Sequence, residues 1–121
     1  MPVVESSEGF SVLDPVERSK SLAYGVFSAA ALRALRETVR RANAALPRVT
    51  APTLIVQSRQ DNRISVEDVE RAFAKLGARE KALEWVTGAA HIITVDYGRE
   101  RVFRLVLDWL LAHNPATLPD K

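Results

Sequence analysis

Apolar positions along the chain switch between helical spacing and short continuous runs. Leu32, Leu35, Val39, Ala42 and Leu46 recur every three or four residues and predict a helix over 29–45, with Ser28 as its N-cap. Pro47 ends it, because the residue before a proline is pushed out of the α region. Thr53–Ser58 (TLIVQS) is a nearly continuous apolar run, the pattern of a parallel strand covered on both faces. Ser65, with Asp68 in the capping-box position, opens a second helix with Val66, Val69, Phe73 and Leu76 as its stripe and Gly77 as its stop. Lys81–Thr87 reads as another strand, containing Leu83, Trp85 and Val86. Asp96 then caps a last helix over 97–113. Val102, Phe103, Val106, Leu107 and Leu110 line its inner face beside Trp109, a Glu100–Arg104 pair lies outside, and Asn114-Pro115 stops it.

The first 21 residues carry no sustained periodicity. Ser6, Ser7, Glu8 and Gly9 read as loop, Asp14-Pro15 starts a short turn or helix, and nothing here anchors a sheet. The order is therefore a helix followed by β-α-β-α, with a right-handed crossover between parallel strands. The fold class is α/β. Two parallel strands leave faces and edges uncovered, so the chain reads as one flank of a larger sheet that is incomplete by itself.

Bulk properties narrow the class. The 121 residues suffice for at most one small domain, and 47% hydrophobic with 26% charged residues is a globular composition. The net charge of +2 is too small for a strong electrostatic footprint. Arg33, Arg36 and Arg40 share a helix face, but no aromatic residues interleave with them, so a solvated face with a Glu37–Arg41 pair is preferred to a nucleic-acid patch. There is no cysteine, hence no disulfide framework or cysteine metal site. No apolar run reaches the roughly 18 residues of a membrane span, and the N-terminus lacks the pattern of a signal peptide. A cytoplasmic protein is the default expectation.

The candidate chemistry lies just past the two strands. In open parallel sheets, functional groups gather at the carboxyl ends of the strands. Asp61 follows the first strand and His91 the second, after the small residues Gly88-Ala89-Ala90. Each has a plainer reading: a turn aspartate in Gln60-Asp61-Asn62, and a histidine capping the sheet end. Together they are more specific, because one β-α-β unit separates them and would bring them close. An aspartate on one ring nitrogen fixes the imidazole tautomer, and the other nitrogen can then take a proton from a hydroxyl nucleophile. A metal site would need more ligands than this pair. His113, at a helix end, reads as a favourable interaction with the helix C-terminus.

The run Ala51-Pro52-Thr53-Leu54-Ile55-Val56-Gln57-Ser58-Arg59-Gln60-Asp61 resembles the strand and acid loop of the α/β-hydrolase fold. Gly88-Ala89-Ala90-His91-Ile92-Ile93-Thr94 resembles its histidine loop, in the form common among bacterial carboxylesterases and monoacylglycerol lipases. The helix ending in Leu46-Pro47-Arg48-Val49-Thr50 is similar to the return from cap to core. The resemblance covers about residues 28 to 112 and implies the C-terminal portion of such an enzyme. The family order of serine, acid and histidine makes Asp61 the acid and His91 the general base. It also implies that 1–27 is a loop-rich remnant of a cap region, 28–113 a partial hydrolase core and 114–121 a tail. The nucleophile elbow, G-x-S-x-G after a strand, is absent, as is the oxyanion loop. Gly9-Phe10-Ser11-Val12-Leu13 comes nearest but lacks the second glycine and the strand-turn-helix context. Ser28, Ser58 and Ser65 read as a cap, a strand end and a cap.

The resemblance implies hydrolysis of carboxylic esters through a Ser-His-Asp acyl-enzyme mechanism, with the nucleophile serine missing from this chain. The expected substrate is a small ester or acylglycerol once the fold is completed, with no cofactor, no metal and no nucleic acid. A second copy or a complementing N-terminal half is the expected partner. The alternative is a non-catalytic fragment or interaction module that pairs through its open sheet edge. Whether Met1 is a true start, and the acyl-chain preference, stay open at this level.

Overall fold

The computed structural model describes residues 3–5, 9–22 and 26–114. The elements run β1 (Val3–Glu5), α1 (Pro15–Ser19), β2 (Val26–Ser28), α2 (Ala29–Ala45), a 3-10 turn (Leu46–Arg48), β3 (Thr53–Ser58), α3 (Val66–Lys75), β4 (Lys81–Val86) and α4 (Arg99–His113). The central unit is the expected mixed α/β arrangement: β3 and β4 pair in parallel from Thr53↔Lys81 to Ser58↔Val86, joined through α3. That register aligns the two carboxyl ends, so the loops carrying Asp61 and His91 emerge side by side.

The helix starts follow their caps. Ser28 Oγ accepts from the Ala31 amide at 3.1 Å, and Ser65 Oγ from the Asp68 amide at 3.1 Å. Asp68 does not complete a reciprocal box, because its carboxylate turns to Arg71 at 3.5 Å. At the other end of α3, Lys81 Nζ donates to the Phe73 carbonyl at 2.9 Å, beside the longer 3.3 Å bond from the Leu76 amide, and to the Leu76 carbonyl at 2.7 Å, in the last turn where helix carbonyls run short of partners. Gly77 does follow α3, but not as a left-handed stop, since only Gly9, Gly88 and Gly98 have positive φ among the described residues. Its amide donates to the Leu46 carbonyl at 3.0 Å, and a Cβ there would meet the Pro47 carbonyl oxygen at 2.1 Å. The glycine is required because two backbones touch.

Several expectations are corrected. The N-terminal region does contain strands: β1 pairs antiparallel with β2, Val3↔Ser28 to Glu5↔Val26. Three-residue strands are too short to display a period. Ser6–Glu8, expected as loop, lie outside the described residues, as does Pro115. Asp14 does cap α1, accepting from the Val16 amide at 2.9 Å with Pro15 in the first turn. The last helix starts at Arg99 with Gly98 at its cap, φ 76°, and Asp96 is not its cap. Glu100 pairs with Arg99 at 3.4 Å rather than with Arg104. Glu37 holds Arg41 as expected, at 2.7 Å, and Arg40 as well, at 2.8 Å.

The core is small and is spread over both ends of the strand pair. Val69 and Leu76 of α3, Ala78, Val86, Ala89, Ala90, Val102 of α4 and Val12 are buried. Val12 comes from the segment read as a loop-rich remnant. Of the expected inner face of α4, only Val102 is buried; Phe103, Val106, Leu107 and Leu110 are exposed, the last at 58%. Leu35 and Val39 of α2 are exposed as well, and most of β3 and β4 is only half-buried. These stripes have the helical spacing of buried faces, yet none of the described residues covers them. Among the described residues no helix is long and apolar enough to cross a membrane.

Candidate active site

The site begins where the sheet ends. The Arg59 amide donates to the Val86 carbonyl at 3.0 Å, the last rung of the ladder. Ser58, at the end of β3, is fully buried and ties the two loops together. Its hydroxyl donates to the Ala89 carbonyl and accepts from the Gln60 amide at 3.1 Å. Gln60 Oε1 in turn accepts from the Gly88 amide at 3.0 Å. Arg59 lies over the Trp85 ring, 4.6 Å from its centroid, across the same pair of strands. The acid loop and the histidine loop are thus cross-linked before either functional side chain is reached.

Asp61 uses its two oxygens differently. Oδ1 accepts from the Arg63 and Ile64 amides at 2.7 and 2.9 Å, which folds the turn. Oδ2 accepts from Gln57 Nε2 at 2.6 Å and lies 2.9 Å from His91 Nδ1. The turn reading and the histidine-partner reading of Asp61 therefore both hold for one carboxylate. Its side chain is 2% exposed, while that of His91 is 38% exposed. Burial would raise the Asp61 carboxyl, but the bonds from His91, the Arg63 and Ile64 amides and Gln57 outweigh it and hold it below the ordinary carboxylate range. An ionised carboxylate on Nδ1 favours the tautomer with the proton on that nitrogen. Nε2, which has no protein partner among the described residues, is then the basic atom.

The backbone of His91 is held by its neighbours. Gly88 takes φ 85°, which turns the chain after β4, and Ala89 and Ala90 pack into the core. Ile92 donates its amide to the Ser11 carbonyl at 2.9 Å. Asp96 is 1% exposed and accepts four amides: Leu13 at 2.8 Å, Asp14 at 2.8 Å, Ala90 at 2.9 Å and Tyr97 at 2.9 Å. Burial would raise this carboxyl too, but those four bonds lower it overall. Read from sequence as a helix cap, Asp96 instead joins the histidine loop to the N-terminal segment. Two of its partners, Leu13 and Asp14, are 83 and 82 residues away, so the only local signal was an aspartate shortly after a histidine.

No serine among the described residues stands in a nucleophile elbow. Ser11 Oγ accepts from Arg63 Nε at 3.2 Å in a stretch without strand or helix. Ser28 does stand between β2 and α2, but its backbone is relaxed and extended (φ −77°, ψ 152°) and its hydroxyl caps α2. An elbow serine needs a sharp, strained turn that exposes the hydroxyl. His113 stays with α4, its Nδ1 2.8 Å from the Trp109 carbonyl and its Nε2 3.0 Å from Glu80. No cluster of metal-ligating side chains occurs among the described residues.

A parallel strand pair whose ends present an Asp61–His91 couple defines the C-terminal part of an α/β-hydrolase core. The family described as serine aminopeptidase, S33, matches residues 11–97, and the chain belongs to it. A carboxylesterase of Bacillus subtilis (strain 168) is 28% identical over 79 residues, 65% of this chain and 32% of that protein. A monoacylglycerol lipase of Paleococcus ferrophilus superposes with a TM-score of 0.80 at 21% identity, over 93% of this chain and 47% of its own. A structure reported for the metagenome-derived lipolytic enzymes LipS and LipT matches with a TM-score of 0.72 at 32% identity, over 77% of this chain and 38% of its own. The chain thus spans a third to a half of the length of these relatives.

Proposed function

We propose that this chain supplies the acid and the general base of a serine hydrolase acting on carboxylic esters, and that the nucleophile comes from outside these residues. The 2.9 Å contact between Asp61 Oδ2 and His91 Nδ1, at the ends of adjacent parallel strands, carries the reading. Asp61 is the acid that orients the ring, and Nε2 of His91 is the base. In the reaction, Nε2 takes the proton of a serine hydroxyl as its oxygen bonds to the ester carbonyl carbon. The imidazolium returns that proton to the leaving alcohol as the acyl–oxygen bond breaks, and the acyl-enzyme remains. A water, deprotonated by the same nitrogen, then releases the acid. Asp61 stays ionised throughout and stabilises the imidazolium, a role that fits its lowered carboxyl.

The relatives named for carboxylesterase, monoacylglycerol lipase and lipolytic activity favour a small ester or acylglycerol as substrate. The exposed stripes of α2 and α4 support a need for further polypeptide, either a complementing N-terminal half or a second copy. The decisive experiment mixes the chain with the part of the carboxylesterase relative that lies outside its 79 matched residues, and follows hydrolysis of a short p-nitrophenyl ester. The expected result is no turnover by the chain alone and turnover in the mixture that His91→Ala abolishes. Serine-dependent hydrolysis by the pure chain would overturn the missing nucleophile, and turnover indifferent to His91→Ala would overturn the base.

A further inference from the structure

We infer that Asp96 is a positioning residue for His91, acting through the amide of the residue before it. The inference rests on the proposed role of the Asp61–His91 pair and concerns a side chain outside that pair.

Asp96 is the more completely buried of the two carboxylates around the site, and its four partners are all backbone amides. Oδ2 accepts from Ala90 and Leu13, and Oδ1 from Asp14 and Tyr97. One carboxylate thereby joins the histidine loop to a segment 82 and 83 residues away. A buried anion that satisfies four amides has no slack, since any movement of a donor leaves a charge short of a bond in a poorly solvated place. The Ala90 amide is one peptide away from His91. On the far side of His91, the Ile92 amide is held by Ser11, whose strand-less segment is itself fixed by Leu13 and Asp14 on Asp96. Asp96 therefore holds the Ala89–Ala90 peptide directly and the His91–Ile92 peptide through residues 11–14, one on each side of His91. A displacement of the whole loop around His91 breaks an Asp96 bond or shifts that segment. Asp61, by contrast, is fixed by backbone amides of its own turn and by Gln57, and that turn meets residues 11–14 through the Arg63 side chain on Ser11 Oγ and not through a bond to Asp96. Loss of Asp96 should release one partner of the pair while leaving the other in place.

Asp96→Asn tests this directly, because it keeps the size and converts one acceptor into a donor facing two amides. The readout is the Nδ1 proton of His91 in chain labelled with 15N-histidine, recorded just above freezing, with His113→Gln used to assign the two rings. In the parent chain a downfield, slowly exchanging proton marks the bond to Asp61, and Asp61→Asn removes it. Asp96→Asn is expected to lose that signal while the amides of Ile55 and Leu83, inside the β3–β4 ladder, keep their hydrogen-exchange protection. An unchanged signal in Asp96→Asn overturns the inference. So does loss of strand protection together with the signal, which would make Asp96 a folding residue only. Absence of the signal from the parent chain would instead count against the Asp61–His91 pairing itself.

Discussion

The Gly77 backbone lies against Pro47 so closely that a Cβ at Gly77 would sit 2.1 Å from the Pro47 carbonyl oxygen. This contact joins the end of α3 to the turn after α2. Because the obstacle is backbone, it cannot rotate away as a side chain would. Gly77→Ala should therefore destabilise the chain by about 1–3 kcal/mol, the range for forcing an extra group into a packed site. Urea unfolding followed by circular dichroism reads the shift in midpoint. An unchanged midpoint would mean that the two segments separate without cost.

Lys81 makes a smaller contribution to the same region. It bonds two terminal carbonyls of α3 and lies 4.9 Å from the centroid of the Phe73 ring. Lys81→Met keeps the apolar stem and removes the ammonium, and should cost about 1–2 kcal/mol. Increased exchange of the α3 amides near its C-terminus would accompany the loss.

Acid should weaken the loops around the site. The Asp61 and Asp96 carboxyls are both lowered in the folded chain, so the unfolded chain binds their protons more tightly. Their contribution is complete above the ordinary carboxylate pKa of about 4 and is lost as pH falls through the lowered values. A plot of unfolding free energy against pH should slope downward toward acid below about pH 4. Asp61→Asn should make that slope shallower. An equally steep slope in the variant would assign the acid sensitivity to other groups.

In the complemented enzyme, Asp61→Asn and His91→Ala should each reduce kcat by roughly four orders of magnitude, with KM little changed, as befits groups that act on the transition state. The double variant should be no worse than the poorer single one, because the two work as a unit. Additive losses would indicate independent roles.

Exposed apolar stripes predict association. Leu107 and Leu110 on α4 are 55% and 58% exposed and lie on one side of the helix with Phe103. Sedimentation should reveal mass that grows with protein concentration, and Leu107→Glu with Leu110→Glu should reduce it. A concentration-independent monomer would count against both the pairing of copies and the need for a covering segment.

What the sequence by itself determined is the local grammar. The positions of α2, β3, α3 and β4, the caps at Ser28 and Ser65, and the placement of Asp61 and His91 just past two strands all follow from interactions spanning a few residues. Periodicity, proline and capping report such interactions directly. The tertiary structure alone decided what depends on approach between distant segments. It sets Asp61 Oδ2 2.9 Å from His91 Nδ1, and it makes Gly77 a contact glycine instead of a helix stop. It also turns Asp96 from an expected helix cap into the acceptor of amides as far away as Leu13. The apolar stripe of α4 shows the same limit from the other side, since its spacing declares a face fit for burial and only the packing of this chain leaves it open. Spacing encodes which face a helix can bury, whereas burial itself needs a partner that no local pattern names.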